Sequence, residues 1–410
     1  MTDLVVTGIG SLVTNASGMP GDLGIVADAA VAISDGKVAW AGAEQDLPDA
    51  HRDAATLDAG GRAAIPGFVD AHTHLVFAGD RSAEFAARMT GASYEDLLAA
   101  GGGIHSTVAA TRAASDEGLF HDARDRALRM LALGTTTVEV KSGYGLTTGD
   151  ERRLLEVARR VAAETPLDVH ATFLGAHVPD RGSTAAEHTE RVITEMLPVC
   201  APLARWCDVF VDRGAFTVEQ AERIFEAAGL LGLGSRVHAE QLSHTGAAGL
   251  AARLGSASAD HLDHATPEDA AALAGAGVIA VLLPAASYSM RSPQAPGRML
   301  WDAGVRVAVA TDCNPGTSNV ESMPLVISLA VVEMGLTADE AMWAATRGGA
   351  LALREPAKGR VAEGADADLV ILDAPSHTHL AYRPGTPLVD TVIKAGRVAN
   401  GNRRMAQGGP

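Results

Sequence analysis

The chain has 410 residues, 47% of them hydrophobic and only 4% aromatic, so a large core is available and aliphatic side chains must fill it. The net charge of −17 argues against nucleic acid and against an anionic membrane surface as partners, because both need a basic footprint. The three cysteines give no disulfide framework, and no signal peptide or membrane-spanning stretch is visible. We therefore expect a cytoplasmic protein that acts on a small molecule. A homodimer is compatible with these features.

The N-terminal part of the chain has the pattern of short β-strands. Two strand-like apolar runs flank Asp35-Gly36, and Asp-Gly in this setting is a strong hairpin signal. The C-terminal part repeats the pattern, for example at Ala367–Leu372. We therefore predict one small β-sandwich domain built from both termini, with residues 1–63 and 356–410.

The middle of the chain, residues 64–355, alternates strand-like apolar runs with helical segments. Eight such units predict an α/β fold, a (β/α)8 TIM barrel. The strands are expected to end near Asp70, Lys141, Phe173, Asp212, His238, His261, Leu283 and Thr311. Helices are expected between them, among others at Asp116–Leu133, Asp150–Ala163, Thr217–Ala228 and Pro267–Ala274.

A long first connection, residues 77–115, follows the first barrel strand. Connections of this length are usually functional. It contains Arg81, a predicted helix at Tyr94–Ala100 and three consecutive glycines, Gly101–Gly103. The glycines are compatible with an anion cradle, a hinge or a simple flexible turn.

The residues best suited to bind a metal lie at the ends of predicted strands. One apolar run ends in His72 and His74, and positions i and i+2 at a strand end point to the same side. His238 and Asp312 close two later runs, and barrel enzymes build their sites at these ends. Three nitrogens and one carboxylate suit one divalent ion, and they do not distinguish zinc from iron.

An open, doubly wound sheet is the structural alternative to the barrel. One ion would then have to collect ligands from the first, fifth and eighth strands of an open sheet. Closure of a barrel makes the first and eighth strands neighbours, so the ligand pattern favours the barrel.

The pattern Pro-Gly-x-x-Asp-x-His-x-His, then a lone His, then Thr-Asp resembles the amidohydrolase superfamily of metal-dependent barrel hydrolases. At finer grain, and over nearly the whole chain, the sequence resembles the imidazolonepropionase family within it. Members of that family hydrolyse the cyclic amide of 4-imidazolone-5-propanoate to N-formimidoyl-L-glutamate in histidine degradation. The resemblance implies this activity and a single metal ion. It is carried by Val138–Gly145, Thr172–His177, His238–Gln241, Ser258–Leu262 and Ala310–Thr317.

In such a reaction, water adds to the carbonyl carbon of the cyclic amide. A divalent metal lowers the pKa of bound water from ~15.7 to about 7 and polarises the carbonyl. Two residues, His261 and Asp312, are the predicted catalytic groups for proton transfer. Imidazole has the better unperturbed pKa near neutral pH, whereas Asp312 can accept the proton beside the metal. The choice of main acceptor stays open at this point.

Substrate recognition is expected to rest on Arg81, because a guanidinium pairs with a propionate in bidentate fashion. The resemblance implies that Tyr144, His177, Gln241 and Thr317 also contact the substrate, and that Asn314 and Gly316 contact the product. Some members of the superfamily bridge two metals with a carbamylated lysine at the position of Lys141. Here we predict a buried lysine that is paired with Glu139 instead.

Two other functions stay open. The first is another cyclic amidase, or a heterocycle deaminase, of the same superfamily. Many such deaminases have a glutamate where this chain has Gln241, one residue after Glu240, and an amide cannot act as a general base. The second is a noncatalytic barrel that binds or assembles, which the four intact metal ligands disfavour.

Overall fold

The computed structural model describes residues 2–91 and 102–401. The strands in these ranges, numbered in chain order, are β1 Leu4–Leu12, β2 Val26–Ser34, β3 Lys37–Ala43, β4 Ala55–Asp58, β5 Ala63–Pro66, β6 Phe68–Asp70, β7 Thr135–Lys141, β8 Asp168–Ala176, β9 Trp206–Val211, β10 Gly234–Ala239, β11 Ser258–His261, β12 Ile279–Leu282, β13 Val307–Val309, β14 Leu369–Leu372, β15 Val389–Lys394 and β16 Arg397–Gly401.

The α-helices in the same ranges alternate with the strands through the middle of the chain. They span Ser82–Met89, Ile104–Ala113, Asp116–Ala132, Thr148–Glu164, Ala185–Arg191, Leu197–Cys200, Val218–Leu230, Ala247–Leu254, Pro267–Ala276, Pro284–Met290, Gly297–Asp302, Met323–Val332, Ala338–Trp343, Gly349–Ala352 and His379–Tyr382. None of the helices in the described part of the chain is long and apolar enough to cross a lipid bilayer.

Strands β6 to β13 form a parallel sheet in chain order. Its first and last strands meet just beyond their ends, where Thr73 pairs with Cys313. There the His74 N–H donates to the Cys313 carbonyl and the Asp312 N–H donates to the His72 carbonyl, both at 3.0 Å. This contact closes the sheet into the predicted (β/α)8 barrel, so the open-sheet alternative is wrong.

The element boundaries follow from local sequence signals. Thr217 and Thr266 begin their helices with capping boxes. In each box the threonine side chain accepts a hydrogen bond from the backbone N–H three residues later, and the side chain of that later residue accepts one from the threonine N–H. The third barrel strand ends at Ala176, not near Phe173 as predicted. Ala176 still pairs with Val209 of β9, which extends the strand past the expected end.

The second sheet joins both termini, as predicted. Its strands lie in the order β16-β15-β14-β5-β1-β2-β3, with β4 paired to β1. Asp35 and Gly36 form the two-residue turn of the predicted hairpin, both with positive φ, at 50° and 72°. The sheet folds around an apolar cluster that includes Leu4, Ile9 and Leu369. The domain boundaries stay predictions. Strand β5, which belongs to this second sheet, begins at Ala63 and runs to Pro66, inside the range predicted for the barrel.

The first connection is partly helical. Helices Ser82–Met89 and Ile104–Ala113 lie on either side of residues 92–101. The predicted helix at Tyr94–Ala100 lies outside the described residues. Gly103 has a φ of 79° directly before the second helix, and its N–H donates to the carboxylate of Glu84 at 3.2 Å.

Candidate metal and substrate site

Four histidines from the ends of three strands converge at the C-terminal end of the barrel. The ring centroid of His72 lies 5.3 Å from that of His74, 4.5 Å from that of His238 and 5.4 Å from that of His261. All four side chains are buried. The barrel therefore brings together the ends of its first, fifth and sixth strands, as the sequence predicts.

Asp312, after the eighth strand, completes this cluster. Its Oδ1 lies 3.5 Å from Nε2 of His72 and 3.5 Å from Nε2 of His74. In a tetrahedral zinc site with ligand bonds of about 2.0–2.1 Å, neighbouring ligand atoms are about 3.3 Å apart.

The ligand atoms of this cluster lack protein partners. Within residues 2–91 and 102–401, no hydrogen bond satisfies His72 Nε2, His238 Nε2 or Asp312 Oδ1. Buried polar atoms without partners are costly. The ligand atoms of His72, His74 and Asp312 lie within 4.8 Å of one another, and so do those of His72, His238 and His261. The donor types and this spacing therefore fit a divalent metal ion.

Two buried carboxylates lie behind the cluster, each close to Nδ1 of one imidazole. Asp260 Oδ2 is 2.7 Å from Nδ1 of His72, and Asp208 Oδ2 is 2.9 Å from Nδ1 of His238. A carboxylate at Nδ1 fixes the ring so that Nε2 is presented to a metal. Although burial opposes ionisation, His238 and Lys141 hold the pKa of Asp208 well below its usual range.

Replacing either carboxylate by its amide, in Asp208→Asn or Asp260→Asn, is expected to weaken zinc binding by about 10- to 100-fold. The amide retains the volume and loses the charge that supports the imidazole. Competition with a chromophoric chelator measures the affinity. Asp125→Asn, on an exposed carboxylate paired with Arg124, is the matched control. Wild-type zinc affinity in both variants would show that the carboxylates do not orient the ligands.

Lys141 lies at the centre of this buried charge network. Its Nζ is 2.8 Å from Glu139 Oε1 and 2.8 Å from Asp208 Oδ2. The predicted ion pair with Glu139 is confirmed. Arg236 adds a second buried cation, with Nη2 at 3.5 Å from Asp260 Oδ2.

Several residues at the strand ends have left-handed backbone conformations. The φ angles are 54° at Glu240, 77° at His261, 64° at Leu262 and 52° at Asp312. Such angles cost energy in residues other than glycine and cluster at functional sites.

Burial, followed by the charge of His238, lowers the pKa of His261 well below its ordinary value, which keeps the imidazole neutral.

Tyr144 and His177 form one wall beside the histidines. The His177 ring stacks on His74 at a centroid distance of 5.1 Å, and the Tyr144 ring is 5.4 Å from that of His177. Burial lowers the pKa of His177 to about 3. Burial and the nearby Asp312 carboxylate raise the pKa of Tyr144. Both side chains are therefore neutral hydrogen-bonding groups at neutral pH.

The turn after the eighth strand holds three of the predicted residues. Asn314 Oδ1 accepts the N–H groups of Gly316 and Thr317, both at 2.8 Å, and its Nδ2 donates to the Asp312 carbonyl at 2.7 Å. A Cβ at Gly316 would lie 2.3 Å from Nη1 of Arg81. The asparagine amide therefore shapes the turn, and glycine lets Arg81 approach it.

Arg81 and Gln241 form no hydrogen bond with the histidine cluster in the described part of the chain. Arg81 instead pairs with Glu84, at 2.7 Å from Nη2 to Oε2. Gln241 is half-buried, and no described residue hydrogen-bonds its side chain. The carboxylate of neighbouring Glu240 accepts the N–H groups of Thr245 and Ala248, so it is committed to the local fold.

Sequence reasoning did not assign the supporting charges Asp208, Asp260 and Arg236. Each lies inside a largely buried barrel strand, a position that favours a core side chain. A charged residue in such a strand is itself a signal, because an unpaired buried charge is too costly to tolerate. The partners that offset each charge become visible only when the strands are side by side.

Comparison with known proteins identifies close relatives of this chain. Residues 63–399 match the model of the amidohydrolase family. An imidazolonepropionase from Mycolicibacterium smegmatis is 51% identical over 401 residues, covering 97% of this chain and 98% of the relative. An imidazolonepropionase from Streptomyces coelicolor is 50% identical over 396 residues, covering 96% and 98%.

Solved structures share the fold at much lower identity. A triazine hydrolase from Arthrobacter aurescens superposes with a TM-score of 0.78 at 19% identity, covering 99% of this chain and 96% of that one. An adenosine deaminase from Xanthomonas campestris with bound zinc gives a TM-score of 0.71 at 22% identity, covering 99% and 94%. These likenesses concern the architecture.

Proposed function

Because this chain belongs to the amidohydrolase family and is about half identical to imidazolonepropionases over nearly its whole length, we propose that it hydrolyses 4-imidazolone-5-propanoate. The cyclic amide opens to N-formimidoyl-L-glutamate, a step of histidine degradation. The observation that carries the proposal is the buried cluster of ligand atoms without protein partners at the mouth of the barrel.

The proposed metal ligands are His72, His74, His238 and Asp312. A divalent ion bound there supplies Lewis-acid activation of water and of the substrate carbonyl. Asp260 supports the choice of His72, because its hydrogen bond to Nδ1 fixes that imidazole with Nε2 directed into the cluster. Asp208 Oδ2 lies 2.9 Å from Nδ1 of His238. Zinc and iron both suit three imidazoles and one carboxylate.

Proton transfer is assigned to His261 and Asp312. The neutral His261 imidazole lies in the cluster, and its Nδ1 has no hydrogen-bond partner among the described residues, with the nearest carboxylate, Asp263 Oδ2, at 3.9 Å. It can therefore take or donate a proton at the reacting carbonyl. Asp312 Oδ2 lies 3.4 Å from the Thr317 hydroxyl and is a second acceptor for the proton of the attacking water. We assign the activating or oxyanion-stabilising role to His261 first.

The substrate contacts are assigned to the residues that the sequence predicts for this role. Arg81 would pair with the propionate, since a guanidinium binds a carboxylate through two parallel hydrogen bonds. The neutral Tyr144 and His177 would donate to the ring carbonyl or accept from a ring N–H. The remaining contacts are assigned to Gln241, Asn314, Gly316 and Thr317.

A heterocycle deaminase of the same family is the second candidate, since one solved neighbour is an adenosine deaminase. Such an activity would need a carboxylate base beside the strand-five histidine. Gln241 has no basicity, and the Glu240 carboxylate is bonded to two backbone N–H groups. These contacts favour the cyclic amide as substrate. A cytoplasmic location and a homodimer are part of the same proposal.

The test is turnover of freshly prepared 4-imidazolone-5-propanoate, followed by loss of its ultraviolet absorbance. We expect conversion to N-formimidoyl-L-glutamate that is abolished by chelator treatment and restored by zinc or ferrous iron. No conversion by a metal-loaded sample would reject this substrate and direct the search to other cyclic amides and amidines. A chain that takes up no metal would favour a noncatalytic barrel.

A further inference from the structure

A second arginine, Arg88, lies in the last turn of helix Ser82–Met89, and Arg81 directly precedes the same helix. Arg88 Nη2 donates to the Gly316 carbonyl at 3.1 Å, while Arg81 lies against the same glycine. Both arginines, with Phe85 and Thr317, line a cavity of about 260 Å³. The two guanidinium groups therefore share one half-open cavity at the turn after the eighth strand.

These two cations have unused hydrogen-bonding capacity. The Nε atoms of Arg81 and Arg88 are buried, and neither has a hydrogen-bond partner within residues 2–91 and 102–401. The Arg81 side chain is only 14% exposed. Burial and the charge of Arg81 lower the pKa of Arg88. Two like charges held close in a partly buried space favour an anion between them.

Glu84 sets the charge of this pocket. Its carboxylate accepts from Arg81 Nη2, from the Gly103 N–H and from the Ser106 hydroxyl. One carboxylate therefore neutralises one of the two arginines, and Arg88 has no ion pair with any described residue. Asp80 also lines the cavity, but it is exposed and therefore screened by solvent. Arg81, Arg88 and Glu84, all partly buried, together carry one net positive charge, which matches one carboxylate.

We propose that Arg88 is a specificity-determining residue that, together with Arg81, recognises the carboxylate of the substrate. Glu84 is the positioning residue that holds Arg81 and restricts the pocket to a single carboxylate. This inference rests on the proposed function, since it assigns the propionate of that substrate. It adds a second guanidinium to the single anchor that the sequence indicates.

The experiment compares two substrates, 4-imidazolone-5-propanoate and its propionamide counterpart, with wild type, Arg88→Met, Arg88→Lys and Arg81→Met. For Arg88→Met we expect KM for the carboxylate substrate to rise about 10- to 100-fold with little change in kcat, as for a lost charge-assisted contact. KM for the amide should stay close to the wild-type value. Arg88→Lys should recover part of the loss, because it keeps the charge.

The matched control is Arg223→Met, which removes an exposed arginine paired with Glu190. It should leave both substrates unaffected. Equal effects of Arg88→Met on both substrates, or no effect on either, would overturn the inference while wild-type turnover upholds the proposed function. No wild-type turnover would overturn both. Circular dichroism and metal content establish that the variants are folded, and Arg88→Lys decides the outcome if Arg88→Met is not.

Discussion

Replacing His261 with asparagine is expected to lower kcat by about 10²- to 10⁴-fold while the metal content stays at the wild-type level, because general acid–base catalysis contributes on this scale. Asparagine suits the test. It is similar in size to histidine, and it tolerates the left-handed backbone that His261 adopts at a φ of 77°. The amide removes the proton-accepting nitrogen, so the loss reports on the chemistry. Steady-state kinetics and metal analysis of the same sample are the measurements.

The control for this experiment is His121→Asn, which alters a histidine that is 54% exposed on a barrel helix. It should have wild-type kinetics. Near-normal turnover by His261→Asn would transfer the proton-accepting role to Asp312. Loss of the metal together with the rate would instead make His261 a ligand, since its ring nitrogen is close to those of His72 and His238.

Replacing Lys141 with methionine is expected to lower the free energy of unfolding by about 3–5 kcal/mol, the usual cost of removing one partner from a buried ion pair. Methionine keeps most of the volume, so the effect is electrostatic. The carboxylates of Glu139 and Asp208 would lose a cation at 2.8 Å from each. Arg236 would remain, but it lies 3.7 Å from Glu139 and so gives weaker compensation. Urea denaturation at neutral pH measures the change.

Lys37→Met serves as the control, because Lys37 is half-exposed and pairs with Asp366 at the surface of the small domain. Exposed pairs contribute at most about 1 kcal/mol. A cost for Lys141→Met as small as that of the control would mean that the carboxylates below the metal site are protonated or hydrated. Lys141 would then not be needed to neutralise the buried carboxylates of Glu139 and Asp208.

Much of the architecture could be predicted because strand ends carry polar residues that the core excludes. His72, His238, His261 and Asp312 each lie at or just after the C-terminal end of a barrel strand. The hairpin at Asp35-Gly36 was equally predictable, since two consecutive positive φ angles demand such residues. In these cases a few neighbouring residues are enough to determine the local structure.

The remaining features depend on contacts between distant segments. Asp260 supports His72 across the barrel, and Glu84 contacts Ser106 across the first connection. Neither pairing has a local signature, because a carboxylate in a strand or a helix is compatible with many partners. Arg88 is one example: only its approach to the Gly316 carbonyl shows that it shares a pocket with Arg81.

The sheet that joins both termini has a consequence for synthesis. Strand β5 pairs with β14 through Ala64 and Ile371. The N-terminal strands therefore cannot complete their sheet until nearly the whole chain has been translated. On the ribosome, Leu4 and Ile9 lack the residues that later cover them, among them Leu369. Nascent chains therefore carry an unfinished apolar sheet while the barrel emerges, and such exposed edges bind chaperones or aggregate. A chain truncated near its C-terminus would leave this apolar sheet permanently incomplete.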